Sequence, residues 1–125
     1  MTQEDKELLL KDLCARLPYG VKVQRYSYEN DIETIETLRE IDSDGYMSTL
    51  ECETLTPISK PYLFPLSSMT VGQGKEFATT LKYLPTEEID VWTLNTYDWC
   101  DKNHFDYRGL IPKGLANDAT GRHIY

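Results

Sequence analysis

The stretch Ile32-Glu33-Thr34-Ile35-Glu36-Thr37-Leu38-Arg39-Glu40-Ile41-Asp42-Ser43-Asp44-Gly45-Tyr46-Met47-Ser48-Thr49-Leu50-Glu51-Cys52-Glu53-Thr54-Leu55 decides the fold. Two arms rich in Ile, Thr, Leu and Tyr flank Ser43-Asp44-Gly45, and Asp-Gly between β-prone arms is a hairpin signal. On the second arm Tyr46, Leu50 and Cys52 share one parity, and Thr49, Glu51 and Glu53 share the other. That alternation predicts one packed and one wet face, as in an antiparallel sheet open to solvent on one side.

The same stretch carries the charge. From Glu29 to Glu53 the acids are Glu29, Asp31, Glu33, Glu36, Glu40, Asp42, Asp44, Glu51 and Glu53, against Arg39 alone. Those nine acids and one base give −8, the net charge of the whole chain, so the remainder is balanced. Phosphate-backbone binding needs clustered Lys and Arg, so nucleic acid is disfavoured as a partner. Glu33, Glu36 and Glu51 read instead as a solvated acidic face, which aids solubility and can serve a basic protein partner.

Working outward, Thr2 with Asp5 forms a capping-box pattern, and Leu9, Leu13 and Leu17 recur every four residues beside Leu10 and Cys14. A helix is expected over residues 2–17, stopped at Pro18. Val21-Lys22-Val23-Gln24 alternates as a strand, extended by Tyr26 and Tyr28. Beyond the hairpin, Pro57, Pro61 and Pro65 argue against helix and central strand, predicting an extended crossover over 57–68. Ser67, Ser68 or Thr70 can cap a second helix with Phe77, Leu81 and Leu84 as its stripe. Gly72 and Gly74 each cost about 1 kcal/mol relative to alanine, so that helix is expected to begin near Lys75. Gly72-Gln73-Gly74-Lys75 lacks the spacing of a phosphate-binding loop. Thr86 then caps a third helix running through Ile89, Trp92, Thr96 and Trp99 to about Asn103.

A chain of 125 residues is one domain's worth of core. The expected architecture is α+β: an N-terminal helix, an antiparallel sheet of three to five strands bearing the acidic hairpin, a proline-rich crossover and two C-terminal helices. The helices should pack on one sheet face.

The C-terminal quarter is the densest in chemistry. Cys100 and His104, four apart, would share a helix face with metal-ligand or nucleophile–base spacing, but two ligands make no zinc site and a dyad needs a third, orienting group. Cys14, Cys52 and Cys100 include no CxxC pair and read as buried free thiols of a reducing cytosol. His104, Asp106, Tyr107 and Arg108 form a candidate binding constellation. The competing reading is structural: Asp106 accepting backbone N–H bonds, Arg108 clamping carbonyls or a carboxylate, and Phe105 and Tyr107 filling the core. No GxSxG, HExxH or EF-hand loop occurs, and no catalytic residue, metal or cofactor is assigned.

Three blocks carry a family resemblance: Leu13-Cys14-Ala15-Arg16-Leu17-Pro18-Tyr19-Gly20-Val21, Lys60-Pro61-Tyr62-Leu63-Phe64-Pro65-Leu66-Ser67-Ser68-Met69-Thr70, and His104-Phe105-Asp106-Tyr107-Arg108-Gly109-Leu110-Ile111-Pro112-Lys113-Gly114-Leu115-Ala116. In this order they resemble a family of small uncharacterised proteins of gut Bacteroidales and their phages or mobile elements. The resemblance implies a cytoplasmic bacterial or phage protein and carries over no site residues. The chain departs from that pattern at Val71-Gly72-Gln73-Gly74, where relatives have glutamates, and at Phe64, where they tend to have Arg.

Lacking a catalytic signature, the chain reads first as a non-enzymatic protein-interaction module, an adaptor or inhibitor working through the acidic hairpin. The alternative is an enzyme or small-ligand binder with its site around His104–Arg108. No apolar run approaches the roughly 20 residues of a membrane span, and the polar N-terminus lacks a signal-peptide layout, so a cytoplasmic protein is expected.

Overall fold

The computed structural model describes residues 2–27, 32–52, 54–82 and 97–125. It is an α+β fold. Helix α1 (Gln3–Arg16) starts as expected: Thr2 and Asp5 exchange side-chain and backbone hydrogen bonds, satisfying two donors at the helix start. A 3-10 turn over Leu17–Tyr19 follows and ends at Gly20. Leu9 and Leu13 are buried, but Cys14 is exposed and Cys52 half-buried, so of the three thiols only Cys100 lies in the core.

Strands β1 (Lys22–Ser27), β2 (Ile32–Ile41), β3 (Tyr46–Thr49) and β4 (Thr56–Pro57) form an antiparallel sheet in chain order. The β2–β3 turn is held by one carboxylate oxygen of Asp42, which accepts the Asp44 and Tyr46 N–H groups at 2.9 Å, with Gly45 at φ 83°. The clean division into a packed and a wet face expected on β3 is not found, because Ser48, on the parity of Tyr46, is buried between Met47 and Thr49. Met47 and Thr49 point inward, whereas Tyr46 and Leu50 are exposed, Leu50 to 66%. The register shifts between Leu38 and Glu40, and the chain leaves the strand after Thr49 in a tight turn where Thr49 and Cys52 exchange backbone hydrogen bonds. Parity counted from Tyr46 to Cys52 therefore spans a break.

The proline-rich crossover expected over 57–68 contains a strand. Tyr62–Pro65 is strand β5, the centre of a second sheet that pairs in parallel with β6 (Phe105–Asp106) and β7 (Asn117–Asp118). Pro61 and Pro65 are tolerated because they sit at its ends. Pro61 needs only its carbonyl, which accepts the Asn117 N–H at 2.8 Å, while the Phe64 N–H donates to His104 O at 2.8 Å. A Val23–Pro61 bridge joins the two sheets.

Helix α2 (Val71–Lys82) begins four residues before the expected Lys75. Thr70 Oγ1 accepts the Gln73 N–H at 3.1 Å and Gln73 Oε1 accepts the Thr70 N–H at 2.9 Å, a reciprocal cap that outweighs the two glycines. Residues 97–102 are helical. Thr86, Ile89, Trp92 and Thr96, the expected body of that helix, lie outside the described residues. The main core packs Leu9 and Leu13 of α1 onto Val21, Val23, Leu38 and Met47 of the sheet, with Leu63, Leu110 and Leu115. A smaller cluster of Trp99, Cys100 and Phe105 lies beneath the C-terminal segment, the Trp99 and Phe105 rings stacked at 5.5 Å.

Candidate functional site

The face of α1 that carries Leu9 and Leu13 also carries Asp12 and Arg16, both fully buried. Arg16 Nε donates to Asp12 Oδ2 at 2.9 Å, one helical turn away. Its other nitrogens cross to the C-terminal segment, donating to Phe105 O at 2.6 Å and Cys100 O at 3.4 Å. Arg108 closes the group from the far side, donating to Asp12 Oδ1 at 2.8 Å. One carboxylate thus holds two guanidinium groups, which lie over the Tyr107 ring with their central carbons at 5.6 and 4.5 Å.

Asp101 completes the cluster but is bonded differently. Its Oδ1 lies 3.8 Å from both Arg16 Nε and Arg108 Nη1, beyond hydrogen-bond reach, and accepts no hydrogen bond of normal geometry. The adjacent Tyr107 hydroxyl is likewise buried without a full hydrogen bond. Burial raises the Asp101 pKa more than Tyr107, Arg16 and Arg108 lower it, and burial also pushes the Tyr107 hydroxyl up. These groups line an open cleft of about 680 Å³, with Leu8, Lys11 and Ala15 of α1 on one side and Tyr97 and Asp98 on the other. Tyr97 stacks on Tyr107 at 4.6 Å and stays 43% exposed. Asp98 accepts a short hydrogen bond from Tyr19, which raises the tyrosine's pKa.

The four candidate residues of the C-terminal quarter divide. Tyr107 and Arg108 line the cleft, and Arg108 clamps a carboxylate. Asp106 is structural: its two oxygens accept the Leu110 and Ile111 N–H groups at 2.9 Å. His104 sits at φ 63°, its ring stacked on Tyr125 at 3.7 Å, with Nδ1 buried and unpartnered. Burial, aided by Arg16 and Lys22, lowers its pKa to about 4.

The helix ends at residue 102, so Cys100 and His104 share no helical face, and burial raises the Cys100 thiol to about 11. Neither the dyad nor the two-ligand spacing is assembled. Among the described residues no group of His, Cys, Asp and Glu could hold a metal ion.

The three acids of the hairpin also divide. Glu33 and Glu51 are exposed, the latter accepting the Thr37 N–H at 2.9 Å. Glu36 is buried at 6% exposure on the core side, opposite Val23 in the pairing register, so it does not contribute to an exposed acidic face. Its Oε1 accepts from the Thr49 hydroxyl at 2.5 Å and its Oε2 from the Thr34 hydroxyl.

Sequence reasoning missed Lys11, Asp12, Arg16, Tyr97, Asp98 and Asp101 as site residues. The available signal was an Asp–Arg pair at i, i+4 inside an apolar helix stripe, where unpaired charge is too costly to persist. No family model, curated protein or solved structure matches the chain. Among the described residues no helix is long and apolar enough to cross a membrane.

Proposed function

We propose that the protein is a non-enzymatic binding module whose recognition site is the cleft between α1 and the segment 97–108. One observation carries this reading: the largely buried Asp101 and the stacked rings of Tyr97 and Tyr107 converge on one open cleft. A concave surface lined by aromatic rings with a few convergent polar groups is what a small-ligand site presents. Against catalysis, the Cys100 thiol at about 11 holds almost no thiolate at neutral pH and the His104 ring is stacked on Tyr125. Three free cysteines suit the cytoplasm.

The test is a fragment screen read by backbone amide NMR. Hits are expected to cluster on Tyr97, Asp98, Asp101, Tyr107 and Arg108; hits confined to other surfaces would overturn the reading.

A second reading rests on the hairpin, which exposes Ile35, Tyr46 and Leu50 together with Glu33 and Glu51. On that reading a protein partner docks there, and Glu33→Lys with Glu51→Lys abolishes its capture while leaving fragment binding in the cleft intact.

A further inference from the structure

Resting on the second reading, the hairpin as a docking face, we propose that its occupant is a basic amphipathic helix of another protein, with apolar side chains on one face and lysine or arginine along its flanks. The inference starts from the register of β1 and β2. Val23 lies opposite Glu36 on the core side, so Gln24 with Ile35, Lys22 with Thr37, and Glu33 face the other way. Ile35 stays 43% exposed there, and Tyr46 and Leu50 of the second arm are 44% and 66% exposed. Thr37 ties the two arms together. Its carbonyl accepts the Leu50 N–H and its N–H donates to Glu51 Oε2, both at 2.9 Å.

The apolar anchors are spread across two arms of the hairpin. Tyr46 and Leu50 stand roughly 13 Å apart at about 3.3 Å per residue, a length that a helix covers in about nine residues. A helix laid over the face can therefore set side chains one and two turns apart on these anchors. Charge selects the sign of its flanks. Glu33, two residues from Ile35 on the same face, and Glu51, held at Thr37, are both exposed. They belong to the segment whose nine acids face Arg39 alone. Lys22, which β1 places on this face, is half-buried with its Nζ 2.5 Å from Thr37 Oγ1. A second copy of the chain would bring like charge to the face, and so would anionic lipid or a nucleic-acid backbone. Each exposed ion pair contributes little by itself. The apolar anchors therefore carry the affinity, and the acids set orientation, on-rate and salt dependence.

The experiment titrates the intact protein with a helix-stabilised peptide of leucine and lysine, apolar on one face. Its counterparts replace lysine by glutamine or by glutamate, and a scrambled isomer keeps the composition but has no apolar face. Backbone amides of Ile35, Thr37, Leu50 and Glu51 are followed at about 0.05 M and about 0.5 M salt. The lysine peptide should shift them. The glutamine peptide should bind severalfold more weakly at low salt and equally at high salt, and the glutamate and scrambled peptides should leave the amides in place. Leu50→Ser should weaken the lysine peptide about tenfold, the effect of losing one buried leucine. Glu33→Gln with Glu51→Gln, which keeps an acceptor for the Thr37 N–H, should remove most of the difference between the lysine and glutamine peptides. All three positions are exposed, and unchanged fragment binding in the cleft checks that the variants fold.

Equal binding of the lysine and glutamine peptides at low salt would overturn the inference while leaving the hairpin a docking face. A scrambled peptide that binds as tightly as the amphipathic one would overturn it too, since attraction of any cation to an acidic chain would then suffice. If no peptide shifts these amides, the inference and the hairpin reading fail together. The reading of the cleft is tested separately, by fragment hits on Tyr97, Asp101 and Tyr107.

Discussion

Two carboxylates, Glu36 under the hairpin and Asp101 beside α1, are buried to the same degree and each faces an arginine at just under 4 Å. Their hydrogen bonding differs. Both oxygens of Glu36 are taken by threonine hydroxyls of the same sheet, so the nest is closed and serves folding. Asp101 Oδ1 is covered as well, but it receives no hydrogen bond of normal geometry from the Tyr107 hydroxyl or the two guanidiniums beside it, and the residue lines a cleft. The contrast teaches that burial and a neighbouring arginine do not define a site; a place in the wall of an open cleft is needed as well.

The strongest way to break the open cluster is Arg16→Ala. It removes the cation that ties α1 to Cys100 and Phe105 and leaves Asp12 buried with Arg108 alone. A loss of about 3–5 kcal/mol is expected in denaturant unfolding, a large part of a typical domain's stability. Arg16→Lys, which keeps the charge but loses the planar fork, should recover part of it.

Asp106→Ala measures a closed carboxylate in the same segment. Two backbone donors lose their acceptor, for about 1–3 kcal/mol, and Asp106→Asn, retaining one acceptor oxygen, should fall between.

A pH profile sharpens the comparison with a smaller effect. The folded-state pKa of His104 is lowered from 6.5 to about 4, so the unfolded chain protonates first on acidification. Stability contributed by neutral His104 is complete above about pH 6.5 and declines steadily toward pH 4. Asp101, with its pKa raised, works in the opposite direction on acidification. The difference between wild type and His104→Asn, which tolerates the left-handed backbone at φ 63°, should therefore narrow across that window. A constant difference would show that the imidazole titrates normally.

Much of the architecture was legible because local signals agreed with the fold. Capping and leucine periodicity coincide in α1, and Asp44-Gly45 lies between β-prone arms. The second sheet was not legible, because β6 and β7 are two-residue strands paired in parallel across long sequence separations, too short to show a period. Proline spacing then argued against β5, although its prolines occupy ends where no donor is required. In the site, chemical density pointed to Tyr107 and Arg108. Asp12 and Arg16 were overlooked because an Asp–Arg pair at i, i+4 also reads as an ordinary surface ion pair, and the partners that bury it come from the other end of the chain. Glu36 misled for the same reason in reverse: an acid within an acidic run reads as surface unless the hydroxyls that receive it are known.

The most direct test of the contrast compares unfolding free energies of Asp101→Asn and Glu36→Gln at neutral pH. Glu36→Gln breaks a satisfied pair of hydrogen bonds and should cost about 1 kcal/mol. Asp101→Asn removes a charge that burial disfavours and should leave the fold as stable or more stable, the signature of a group held for binding. Equal destabilisation by the two substitutions would make Asp101 as structural as Glu36 and contradict the account.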